Sequence, residues 1–184
     1  MAKTESKMVE LGSEATDFFL PEVRSNQKVG LYDVLGGSGL LIMFISRHCP
    51  YVQHIKKQIT QLSNDYLKDV RFVAISSNDV VNYPDDHPEK LKQMSIEEDW
   101  KFPLLYDESQ NIAKAYDAAC TPDFFLYDKK AKLVYRGQMD GSRPGNNIPN
   151  DARDLRQAMD SLIAGKPITS DQRPSMGCNI KWKS

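Results

Sequence analysis

The chain has 184 residues, 40% hydrophobic and 27% charged, with 24 basic against 25 acidic residues for a formal net charge of -1. A chain of this length buries roughly 70% of its unfolded surface in one core, so one domain over 1–184 is expected, with 166–184 as a docking tail. The charge balance argues against nucleic acid or an anionic membrane as partner. The start MAKTESKMVELGSEA carries no apolar signal segment and no apolar run nears the ~20 residues of a membrane helix, so the expected compartment is cytoplasmic.

The segment DFFLPEVRSNQKVGLYDVL reads as an N-terminal hairpin. LLIMFIS (40–46) follows, a continuous apolar run of strand length that suits a strand covered on both faces. A helix starts near Pro50, which lacks the amide hydrogen that would go unpaired in a first turn. Val52, Ile55, Ile59, Leu62 and Tyr66 recur at helical spacing on its core face. VRFVAISS (70–77) is a second buried strand. The loop NDVVNYPDDHP leads into a helix near Pro88 carrying Leu91 and Met94, then come PLLYD and a short helix over SQNIAKAYD. PDFFLYD and LVYRGQ form a strand pair across the turn KKAK. The last helix, from Asn150 or Asp151, buries Leu155, Met159, Leu162 and Ile163 and ends at Gly165 and Pro167. Strand–helix–strand units imply parallel, right-handed crossovers and the late hairpin is antiparallel. The fold class is therefore α/β, three layers with a mixed central sheet.

Three cysteines, Cys49, Cys120 and Cys178, stand far apart with no CxxC pair. An odd count in a reducing compartment favours catalytic or inert thiols over a disulfide framework. Cys49 lies at the junction of LLIMFIS and the following helix, where free amides and the helix dipole stabilise a thiolate. The plainer alternative is a small buried hydrophobe. Arg47 and His48 flank it; a neighbouring cation favours the thiolate further and a histidine moves protons near neutral pH. Val52, three residues on, belongs to the apolar stripe, so a resolving thiol must come from elsewhere. In CTPDFFLYD, Pro122 begins a strand, where its missing donor is tolerated.

Together these segments, with the tail RPSMGCNIKWK, resemble the thioredoxin-like superfamily, in its peroxiredoxin-like AhpC/TSA or redoxin branch. The resemblance spans about residues 8–165. It implies a thioredoxin-like fold with an N-terminal hairpin extension, a cis-proline at Pro122 facing the active cysteine, and Cys49 in the place of the first cysteine of a CxxC. In peroxiredoxins the peroxide-reducing cysteine falls on Val52 and its partner threonine on Cys49. The proline–threonine–cysteine signature is absent, and Ser46 stands where some relatives have a further cysteine.

The expected function is a thiol–disulfide, antioxidant-type oxidoreductase with Cys49 as nucleophile. Cys120 and Pro122 complete the catalytic set, and Arg47, His48 and Thr121 contact a protein or small-molecule thiol or disulfide substrate. Cys120, two residues before the facing proline, ranks first as resolving thiol, with inert filler as its alternative; Cys178 ranks second. A thiol peroxidase, or a thioredoxin-fold metal-binding or interaction module without turnover, are the alternatives. For metal, His48, Cys49 and His54 are the only candidates, but His54 lies ~140° around the helix from Cys49; neither metal nor cofactor is expected. A homodimer is left open. Met176, Cys178, Ile180 and Trp182 alternate with polar residues in a strand period, and burying such a face is favourable. Residues 174–183 are therefore expected to dock on the domain or on a neighbouring subunit.

Overall fold

The computed structural model describes residues 3–184. In chain order its elements are β1 (Lys3–Glu5), β2 (Phe19–Pro21), β3 (Lys28–Gly30), α1 (Leu31–Val34), β4 (Gly39–Phe44), α2 (Pro50–Asp65), β5 (Val70–Ser76), α3 (Pro88–Glu97), β6 (Leu104–Tyr106), α4 (Asn111–Ala115), β7 (Cys120–Thr121), β8 (Asp123–Asp128), β9 (Leu133–Gly137), α5 (Arg153–Ile163) and β10 (Met176–Asn179). The central sheet runs β6-β5-β4-β8-β9. β4, β5 and β6 are parallel; β8 and β9 join antiparallel.

Every residue of β4 is buried, because helical layers cover both faces. Leu41 and Met43 meet Val52, Ile55, Ile59 and Leu62 of α2, with Leu91 of α3 and Leu155 and Met159 of α5 in the same cluster. Leu40, Ile42 and Phe44 point the opposite way, into a cluster with Leu31 of α1 and Ala113 of α4. The two-residue period of the strand sorts its side chains between these cores. This is the three-layer, mixed-sheet architecture expected of the chain, and β2–β3 form its N-terminal hairpin. Among the described residues no helix is long and apolar enough to cross a membrane.

Two local expectations are corrected. The last helix begins at Arg153, not at Asn150 or Asp151. The Asp140 carboxylate accepts from the amides of Asp151 (2.9 Å) and Ala152 (2.7 Å), and Ala152 takes a left-handed φ of 57°, so the chain turns before the helix starts. In the tail, Trp182 was expected to share the docked apolar face with Met176, Cys178 and Ile180, yet it remains 41% exposed, beside Lys114. Ile180, 1% exposed, is the apolar anchor, and backbone groups described below do most of the holding.

The chain ends meet in a second sheet, ordered β1-β10-β7. β10 lies between β1 and β7 and is antiparallel to both. Gly177 makes this possible, since a Cβ there would overlap the carbonyl of Thr121. Beyond Pro122, the first residue of β8, Asp123, forms a fully buried ion pair with Arg136 of β9. Arg136 Nη1 and Nη2 each donate to a carboxylate oxygen, and the guanidinium lies 3.9 Å over the Phe125 ring. Removing one member of such a pair strands the other in a low-dielectric site. Arg136→Ala is therefore expected to lower unfolding free energy by about 3–5 kcal/mol, read from urea titration.

Candidate active site

Cys49 lies just past the carboxyl end of β4, the sheet edge where open α/β folds place their chemistry. It is the N-cap of α2, in extended conformation, and Pro50 follows as the first helical residue. Its side chain supplies no cap, so the sulfur is free to turn away from the helix. It is wholly buried and donates to the Thr121 carbonyl oxygen at 3.1 Å. The Thr121–Pro122 peptide that it faces is cis.

All three cysteines are free thiols and all are buried. Cys120 directs its sulfur to the Pro122 carbonyl at 3.6 Å. Burial first, and then the Asp123 carboxylate, push its pKa far above the ordinary thiol range. Cys178 sits opposite Thr121 in the β10–β7 ladder. Burial first, and then its neighbour Cys49, push its thiol up to about 12. The tail thus brings a second buried thiol into the same core cluster as Cys49.

The segment carrying Cys178 is pinned on both sides. Ser175 N donates to Ser6 Oγ and Ser175 Oγ to the Gly137 carbonyl, both at 2.8 Å. Farther on, Lys181 N donates to Asn78 Oδ1, while the Lys181 carbonyl accepts from Asp79 N and Gln110 Nε2, all at 2.8 Å. Gln110 Oε1 also accepts from Lys183 N at 2.9 Å. A crevice of about 20 Å³ lined by Tyr51, Pro122, Arg143 and Met176 lies alongside; it holds a water and little more. Cys49 is closed off while β10 is seated.

Sequence reasoning missed the group that organises the nucleophile loop. Asp86 is fully buried in the Pro84–Asp86 turn. One carboxylate oxygen accepts from the amides of Arg47 (2.5 Å) and His48 (3.3 Å). The other accepts from Ser46 Oγ (2.9 Å), His48 Nδ1 (2.6 Å) and Asn78 Nδ2 (2.6 Å). Burial alone would raise this carboxyl, but the bonds from His48, Asn78 and Ser46 outweigh it and hold Asp86 below the usual carboxylate range. Loops after adjacent parallel strands emerge at one sheet edge, so the acidic loop after β5 was a readable neighbour of Cys49. His48 also stacks on Tyr83, with ring centroids 5.4 Å apart. Arg47 turns to Asp85 at 3.8 Å, a carboxylate it shares with Lys90. His54 contacts Ser142 at 3.2 Å. Among the described residues no three His, Cys, Asp or Glu side chains gather in a metal-holding group.

A thioredoxin-type sheet, with one cysteine at the start of the helix after its central strand and a cis-proline opposite, defines a redoxin. The profile of the AhpC/TSA family matches residues 11–136, and the chain belongs to that family. It is similar to the thiol-disulfide oxidoreductase ResA of Bacillus thuringiensis subsp. konkukian (strain 97-27), with 26% identity over 132 residues, 71% of each chain. The crystal structure of an uncharacterized conserved protein from Geobacillus kaustophilus superposes with a TM-score of 0.97 at 49% identity, covering 100% of this chain and 97% of that one. A putative thiol:disulfide interchange protein DsbE from Chlorobium tepidum shares the fold, with a TM-score of 0.66 at 22% identity over 85% of this chain and 99% of that one.

Two outcomes follow from the closed site. Any side chain at position 177 collides with backbone, so Gly177→Ala should unseat β10 and speed alkylation of Cys49, measured by mass spectrometry against urea stability. The second concerns alkaline pH. A thiol whose folded pKa is raised adds stability that is complete below its unfolded value of ~8.5 and is lost as pH rises above it. Urea stability should therefore fall from about pH 8.5 upward, and Cys178→Ser should flatten part of that fall.

Proposed function

We propose that the protein is a thiol–disulfide oxidoreductase in which Cys49 is the nucleophile and Cys178 the resolving thiol. The observation that carries this reading is the register of β10, which sets Cys178 opposite Thr121, the residue whose carbonyl accepts the Cys49 thiol. The relatives named as thiol-disulfide oxidoreductases support the redox chemistry in general terms.

In the first step the Cys49 thiolate attacks a substrate disulfide. A bond forms from Sγ to one substrate sulfur, the substrate S–S bond breaks, and the other sulfur leaves as a thiolate that takes up a proton. In the second step Cys178, having given up its proton, attacks Cys49 Sγ. The mixed disulfide breaks, the remaining substrate sulfur leaves, and a Cys49–Cys178 disulfide forms. The substrate gains two electrons and two protons, and a dithiol reductant returns the protein to its starting state. Substrate entry requires the wholly buried Cys49 to be uncovered, and resolution requires β10 to be seated so that Cys178 lies beside Thr121 again.

Cys120 is the weaker candidate for resolution. Its sulfur faces the Pro122 carbonyl. The peroxidase reading has less support: Val52, in the place of the peroxide-reducing cysteine, is wholly buried in the α2 core. The partners in this reading are a protein or small-molecule disulfide and a cytoplasmic dithiol. Trapping is the test. Cys178→Ser should accumulate mixed disulfides with a protein disulfide substrate through Cys49, Cys49→Ser should give none, and Cys120→Ser should behave as wild type. Accumulation in Cys120→Ser instead of Cys178→Ser would reverse the assignment of the resolving thiol.

A further inference from the structure

Cys49 can react only when it is uncovered, so access depends on which part of the molecule moves. The sulfur is wholly buried. Cys178 shares its apolar cluster, and β10 packs against α2, the helix that Cys49 begins. Ser175 and Met176 line the small crevice beside Tyr51 and Pro122. β10 is thus a cover over the nucleophile, and whatever holds β10 controls the thiol.

The two neighbours of β10 hold it unequally. β7 pairs with it only through Cys120 and Thr121. β1 pairs with it along its whole length, Lys3 to Cys178, Thr4 to Gly177 and Glu5 to Met176. The pairing continues one residue further. Ser6 N donates to the Ser175 carbonyl at 2.9 Å, and Ser175 N donates to Ser6 Oγ at 2.8 Å. Both serines are buried, so losing either bond leaves an unsatisfied group rather than a hydrated one. The bonds of Ser175 Oγ and Lys181 described above fix the ends of this segment; without Ser6, Ser175 would keep its hydroxyl bond to Gly137 alone.

β1 itself is held by little else. Lys3 and Glu5 are exposed and Thr4 is half-buried. Among the described residues β1 pairs with no strand but β10. Lys7 meets Asp117 in an exposed ion pair, an interaction of small worth. The next main-chain bond to the rest of the domain is from Gly12 N to the Leu133 carbonyl, at 2.7 Å. A short segment with few buried side chains opens locally at less cost than global unfolding.

We propose that residues 3–6 are a latch on the site, and that release of β1 is what lets β10 leave the sulfur. β1 and β10 act as one strap over Cys49. Return of β1 reseats β10 in the register that sets Cys178 opposite Thr121. No covalent bond is made or broken in this motion. A segment with no side chain in the site thereby controls the nucleophile. For its use in turnover the inference rests on the oxidoreductase reading, but the latch is measurable without turnover.

The experiment compares opening of the thiol with opening of the strap. Alkylation of Cys49 under native conditions, located by mass spectrometry and scaled to the unfolded chain, gives one opening constant. Hydrogen exchange at the Ser6 and Ser175 amides gives another. In the wild-type protein the two should agree, and both should lie well above the constant for global unfolding from urea titration. Ser6→Pro removes the donor N–H and the hydroxyl together. It should speed alkylation of Cys49 by on the order of 10-fold, the scale of a pair of modest hydrogen bonds, and Ser6→Ala should do so by less. Lys7→Ala, which touches only the exposed ion pair, should leave the rate unchanged. Alkylation that tracks global unfolding in the wild-type protein overturns the proposal, and needs no variant should Ser6→Pro fail to fold. A folded Ser6→Pro protein alkylated at the wild-type rate overturns it as well, since β10 then stays seated without its latch. Absence of trapped mixed disulfides would sink the oxidoreductase reading and leave the opening constants standing. Intact trapping with Cys49 opening independently of Ser6 would sink this inference alone.

Discussion

The main chain at Thr121 is the point on which the site turns. Its carbonyl accepts the Cys49 thiol, its peptide to Pro122 is cis, and its strand takes the β10 ladder. These roles are compatible because β7 is only two residues long and stands apart from the five-stranded sheet. It serves as a short edge that would otherwise be unpaired. An unpaired edge invites another strand, and here the protein's own tail fills it. The nucleophile, the proline loop and the tail thus form one local unit.

A second unit is organised by charge. Burying a carboxylate is costly unless its oxygens are well satisfied. Asp86 meets that condition by drawing in both loop amides before Cys49, the Ser46 hydroxyl, the His48 ring and the Asn78 amide. The cost of burial is offset by fixing the approach to the nucleophile in one conformation. The Asp123–Arg136 pair performs a comparable service beyond Pro122, so the active loop and the proline loop each rest on a buried carboxyl group held by several donors.

What was legible in the sequence was local. LLIMFIS announced a strand covered on both faces because apolar residues without alternation have few other uses. Pro50 and the stripe from Val52 to Leu62 announced the helix, and so the place of Cys49. The alternation of Met176, Cys178 and Ile180 marked a strand, although it gave no partner for it. What remained hidden depended on distant segments. Lys3–Glu5 carries no apolar signal because its contribution is backbone pairing. Asp86 looks like any loop acid, and only its placement opposite Ser46 and His48 gives it a role. Trp182 misled because side-chain size was taken as the anchor, when Asn78 and Gln110 hold the backbone directly.

The pinning of β10 has a consequence for how this segment can vary in length. Ser175 and Lys181 are each fixed by buried partners, and the five residues between them are stretched along β7 without slack. Strand side chains alternate sides, so one inserted or deleted residue in this span would turn position 178 to the opposite face and present Gly177 or Asn179 to the sulfur instead. The connection from Gly165 to Asp171 is less restricted, as its residues are largely exposed, whereas Gln172 and Arg173 are already bonded to Val134, Arg136 and Gln138. Length changes should thus be tolerated before Gln172 and excluded from there through the four-residue strand, whose parity sets which side chain faces the sulfur.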